Sequence, residues 1–159
     1  ISFRSDGAAV MQGFDSNREL PDGYGGGTNS TIAYFMTAEG ELTRLPAGED
    51  FFVVGVSWLS DAYIAVAEYP MISSNGENPR SGEERLVIID SVTLQPIKYV
   101  IAPNIWGPIV RANNNIYWQY GGALSGETLE ISDSIFGGRG YPVADVDGIN
   151  FYTFLDTND

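Results

Sequence analysis

No stretch of this chain repeats its apolar residues at helical spacing. What recurs instead is a short run rich in Val, Ile, Tyr, Phe and Trp, closed on either side by Gly, Asn, Asp, Pro or Ser. Read as strands, these runs fall at 8–14, 31–37, 41–45, 51–58, 63–69, 85–90, 97–101, 109–111, 116–120, 128–132 and 150–155. Turn signals separate nearly all of them: Asp6-Gly7, Glu39-Gly40, Ser60-Asp61, Asn113-Asn114-Asn115 and Asp147-Gly148. Parallel sheets need crossover helices, and the spacing leaves no room for them, so the fold class is all-β and antiparallel. With 159 residues, 43% of them hydrophobic, the chain has the length of one domain and enough apolar side chains for a core.

Composition removes several functions. Eight Lys and Arg stand against 21 Asp and Glu, a formal charge of -13. A phosphate-tracking groove needs clustered cations, so nucleic acid is excluded as a partner, and an anionic membrane surface is disfavoured. No apolar run reaches the length of about 18 residues that a membrane helix needs, so no membrane insertion is expected, and no segment has the layout of a secretory leader. There is no Cys and no His. That removes disulfides, thiolate chemistry, His-based triads and ordinary zinc sites. A single Lys (Lys98), an abundance of Asn, Ser, Gly and Tyr, and one sequon (Asn29-Ser30-Thr31) favour an extracellular or cell-surface protein.

A polar turn followed by an apolar strand recurs along the chain. Ser5-Asp6-Gly7-Ala8-Ala9-Val10 matches Ser60-Asp61-Ala62-Tyr63-Ile64-Ala65-Val66 at a displacement of about 54 residues, and 31–37 falls on 85–91 in the same way. Asn113-Asn114-Asn115-Ile116-Tyr117-Trp118 follows after about 53 more, and Asp145-Val146-Asp147-Gly148-Ile149-Asn150-Phe151 after about 33. A four-strand unit therefore repeats at roughly 1–50, 51–104 and 105–139, with a partial unit at 140–159. Such units resemble the blades of β-propellers, and 86–97 is similar to a blade hairpin in which an apolar strand ends in Asp before an outer strand. The resemblance implies propeller-like four-stranded repeats, either a single domain or a segment of a larger propeller; a β-sandwich or jelly roll is the alternative. Phe136-Gly137 together with 145–148 loosely resembles the FG-GAP repeats of integrin-like propellers. That likeness implies calcium at Asp145 and Asp147, whereas the family's further Asp-Gly pair and closing Asp are missing. A plain Asp-Gly hairpin turn is the simpler reading, so the expectation is no cofactor, with calcium the one ion raised.

Two long connections, 15–30 and 70–84, occupy equivalent positions in the repeat and would share one face of adjacent blades. From them come the ligand-binding candidates Tyr24, Asn75 and Arg80, and Trp106 beside Gly107-Pro108 adds an aromatic face for sugar stacking. Trp58 and Trp118, on strong strands, read as core. Arg80 and Arg139 could anchor a carboxylate, or form surface pairs of little worth. Glycoside hydrolysis needs two acids about 5–10 Å apart, and Glu68, Asp90 and Glu130 are the acids to examine for it.

These features lead to a non-catalytic binding or scaffold domain that uses loop faces to hold protein or carbohydrate, as a homo-oligomer or joined to the remainder of a longer chain. The alternatives are a carboxylate-dependent glycoside hydrolase or lyase, and a structural subunit of an extracellular fibre or particle.

Overall fold

Tyr63–Pro70 and Arg85–Asp90 are apolar at nearly every position rather than at every second one, the pattern of strands covered on both faces. A computed structural model describes residues 1–14, 31–48, 51–70, 83–105, 107–112, 114–118, 122–132, 141–145 and 148–152, with backbone alone at 132, 141–145 and 148–152. Among these residues there is no helix, and the chain is all-β with every strand pair antiparallel.

The first sheet contains β1 (Ser2–Phe3), β2 (Ala9–Phe14), β3 (Thr31–Met36) and β4 (Leu42–Arg44). The second contains β5 (Phe51–Trp58), β6 (Tyr63–Pro70), β7 (Arg85–Asp90) and β8 (Pro96–Ile101). The third contains β9 (Val110–Ala112), β10 (Asn115–Tyr117), β11 (Ala123–Ser125) and β12 (Ile131–Ser132), and a hairpin of β13 (Tyr141–Asp145) and β14 (Gly148–Tyr152) follows. Within each sheet the strands lie side by side in chain order. β2, β3 and β4 begin at residues 9, 31 and 42, and β6, β7 and β8 at 63, 85 and 96, a constant displacement of 54.

The second sheet is the middle layer. Ile64, Val66, Val87 and Ile89 point from one face into a core completed by Trp58, Val53 and the first sheet's Ala8, Val10, Ala33 and Leu45. Ala65, Ala67, Leu86 and Ile88 point from the other face into a second core with Ile109, Ile116, Trp118 and Leu124. Trp58 and Trp118 are both buried, as their strands suggest. Each indole N–H donates to a carbonyl, Trp58 to Ser2 at 3.1 Å and Trp118 to Pro103 at 3.3 Å, so neither ring buries an unpaired donor. Gly55, beside a register shift in β5, lets the segment leading into β9 approach closely. A Cβ there would lie 2.9 Å from the backbone nitrogen of Ile109 and 3.2 Å from the carbonyl oxygen of Gly107.

Turn chemistry sets the ends of the strands. Gly7 and Gly40 take φ of 92° and 91° in the β1–β2 and β3–β4 turns, conformations that glycine adopts without strain. The β7–β8 and β11–β12 turns share a different design, written Asp90-Ser91-Val92-Thr93-Leu94 and Ser125-Gly126-Glu127-Thr128-Leu129. In each, the leucine has φ 55° and its N–H donates to the carbonyl four residues earlier, at 2.9 Å. The first side chain caps the turn. Asp90 Oδ1 accepts from Thr93 N–H at 2.7 Å and Val92 N–H at 3.0 Å, and Ser125 Oγ accepts from Glu127 N–H at 3.2 Å and Thr128 N–H at 3.3 Å. The strand expected at 128–132 is therefore turn at its start, and β12 is confined to Ile131–Ser132. Three strands escape the sequence reading. β1 is two residues long, β11 is three and lacks β-branched side chains, and β13 carries Pro142, which argues against a strand interior.

The hydrogen bonds to Asp90 hold its carboxyl below the ordinary value of 3.8, the Thr93 N–H foremost, then the Thr93 hydroxyl and the Val92 N–H. A carboxyl depressed on folding stabilises above its unfolded pKa, and that contribution is lost as pH falls through the folded value. Asp90→Ala is thus expected to be less stable than wild type at neutral pH. In urea unfolding across pH, the gap should close at acid pH, once the folded-state carboxyl is protonated. A gap that is constant with pH would show that the carboxylate is not the stabilising group.

Candidate functional site

Along β6 the side chains of Ile64 and Val66 fill the core between the first two sheets, and the next residue on that face is an acid, Glu68. It is 1% exposed. A buried carboxylate has to be paired or hydrogen-bonded, and two groups do this. β7 places Arg85 directly across the ladder from Glu68, and Arg85 Nε donates to Glu68 Oε2 at 2.6 Å. The backbone N–H of Gly48 donates to Oε1. Gly48 has φ +80°, and a Cβ there would meet Val53 Cγ2 at 2.8 Å, so this close approach to the acid requires a residue without a side chain.

Two aromatic rings contact the guanidinium. Arg85 Cζ lies 4.0 Å from the centroid of Phe51 and 4.8 Å from that of Tyr99. The Glu68–Arg85 pair forms the base of a cleft of about 590 Å³ between the first two sheets. One wall runs from Thr43 to Gly48, including Arg44, and the other holds Thr93, Leu94, Gln95 and Tyr99. The cleft exists because the outer strands do not close on each other. β4 is exposed throughout, and β8 exposes Ile97, Tyr99 and Ile101 in alternation. A second hollow, of about 370 Å³, lies at the opposite side of the sheets and is lined by the first strand of each: Ser2 from β1, Val54 and Val56 from β5, and Val110 and Arg111 from β9.

The three acids singled out from sequence do not converge. Glu68 pairs with Arg85 and Asp90 with Tyr63, at opposite ends of the same ladder. Five strand residues at about 3.3 Å each separate them by about 17 Å. Asp90 caps its turn, and Glu130 is exposed beside β12 in the third sheet. Asp145 pairs with Gly148 at the end of the β13–β14 hairpin. Tyr24, Asn75, Arg80, Trp106, Arg139 and Asp147 lie outside the described residues. Among the described residues no group of three or more His, Cys, Asp or Glu could hold a metal ion.

The sequence reading includes Glu68 but not Arg85, Tyr99 or Gly48. The signal for Arg85 was available. Aligning the strand that ends in Ala67-Glu68 antiparallel to the one that begins Arg85-Leu86 puts the two charges opposite each other. Gly48 and Tyr99 reach the site only through packing of one sheet on another, which no local pattern encodes. Compared with known protein families, curated proteins and solved structures, the chain matches none.

Removing one partner of the pair leaves the other charge without compensation at the base of the cleft. Arg85→Met is expected to cost about 3 kcal/mol in urea unfolding, and the double variant Glu68→Met with Arg85→Met to regain at least half of that. Additive losses would show that the two side chains are not coupled.

Proposed function

We propose that the chain is a non-catalytic, extracellular binding domain built as a run of propeller-like blades, with its recognition surface in the cleft between the first two sheets. The observation that carries this reading is the asymmetry between the two edges of the sheets. The first strands β1, β5 and β9 crowd around one hollow, and on the far side the outer strands β4 and β8 part to leave the larger cleft. Sheets set radially converge at their inner strands and diverge at their outer ones. A rigid wedge lined by backbone turns, a fixed guanidinium and a half-exposed tyrosine suits the holding of a protein or carbohydrate partner. Of the acids named for the hydrolase and lyase alternatives, Glu68 and Asp90 are too far apart to flank one bond.

The wild-type protein should leave nitrophenyl glycosides and polyuronates unchanged. It should be retained on an array of immobilised glycans and peptides, and Tyr99→Ala should weaken retention about fivefold without lowering thermal stability. Turnover abolished by Glu68→Gln would replace this reading with the enzymatic one.

A second reading, a subunit of a surface fibre or particle, draws on a different observation. Phe3, Ala9, Met36 and Leu42 form one cross-strand row on the face of the first sheet turned away from the second. Phe3 and Leu42 are 66% and 59% exposed at its ends, and Ala9 within it is buried. Exposed apolar side chains of this size contribute to association surfaces. Under this reading, sedimentation velocity gives an assembly that Leu42→Lys reduces to monomer. A monomer at every concentration would discard it.

A further inference from the structure

We propose that the cleft between the first two sheets takes a carboxylate-bearing sugar, with its acid group held by the terminal edge of Arg85; this rests on the reading of the cleft as a binding site. The guanidinium is constrained by three neighbours. Phe51 and Tyr99 make ring contacts with it, and Glu68 occupies its Nε edge. Nη1 and Nη2 have no hydrogen-bond partner among the described residues, and the side chain is 32% exposed into the cleft. A planar fork of parallel N–H donors, already fixed in orientation, fits a carboxylate in bidentate fashion and loses little side-chain entropy on binding.

The carboxylate beside the guanidinium, Glu68, is already engaged by Arg85 Nε and the Gly48 N–H, which leaves the Nη edge to an incoming anion.

The remaining lining suits a hydroxylated ring. The Thr43 hydroxyl and the Gln95 amide are exposed and make no side-chain hydrogen bond among the described residues, so both can meet ring hydroxyls. Leu45, Pro46 and Leu94 supply the apolar contact that the ring's C–H faces need. A volume of about 590 Å³ exceeds that of one sugar acid and admits a neighbouring residue of a chain.

The test pairs glucuronate with glucuronamide, which share the ring and differ in the charged group. In titrations followed by amide shifts, glucuronate should move Gly48, Leu94 and Gln95 saturably, and glucuronamide should bind about tenfold more weakly. Arg85→Lys retains a cation beside Glu68 but lacks the fork, so it should lose about tenfold for glucuronate with its unfolding midpoint little changed. Equal binding of the two sugars, or unchanged glucuronate binding by Arg85→Lys, would overturn the carboxylate assignment and leave the cleft as a binding site for neutral partners. No saturable shift with either sugar would also overturn it, and the array experiment would then decide the broader reading separately.

Discussion

The architecture depends on the burial of both faces of the second sheet. A sheet with one apolar face needs one partner, and a sheet with two needs a partner on each side. β6 and β7 alternate between the two cores, with Ile64, Val66, Val87 and Ile89 to one side and Ala65, Ala67, Leu86 and Ile88 to the other. Of the side chains that face the third sheet from β6, Ala65 and Ala67 are small, and the segment leading into β9 comes close enough that position 55 admits only glycine without a shift of the backbone.

Glu68 shows how this arrangement produces a site. It continues the Ile64–Val66 face, so the geometry of β6 commits it to the interior. Burial of the acid is tolerable because β7 begins with arginine at the matching register and because Gly48 brings a backbone N–H to its other oxygen. The pair adds little to stability compared with a well-packed apolar pair of the same volume. Its value is positional: it holds a guanidinium close to two aromatic rings at the bottom of a cleft, in an otherwise acidic molecule.

Much of the fold was legible in the sequence, and the reasons are local. The runs 51–58 and 85–90 coincide with β5 and β7 because bulky apolar strands bounded by turn residues leave one interpretation. The displacement of 54 residues is visible because turn chemistry and strand pattern repeat together. Short elements were harder. β11 offers three residues, and the turn before β12 was hidden by Thr128 and Leu129, residue types that also favour strands. The signal that would have revealed it is the shared Thr-Leu ending of the two capped turns at 90–94 and 125–129. The site was legible only at Glu68. Cross-strand register would have added Arg85, whereas Gly48, Phe51 and Tyr99 join it through contacts between sheets and along edges that single-strand patterns do not carry.

Stacked layers also differ in how easily they can be lost. Among the described residues, detaching the first sheet breaks one core, which includes Trp58, whereas releasing the second breaks two. In linear arrays of repeats, stability falls toward the flanks for this reason. The middle sheet should therefore hold its backbone protons longest against solvent exchange, and opening should begin from an outer layer. When that layer is the first sheet, the cleft loses a wall before the molecule loses its core, so ligand held there would slow the earliest step of unfolding.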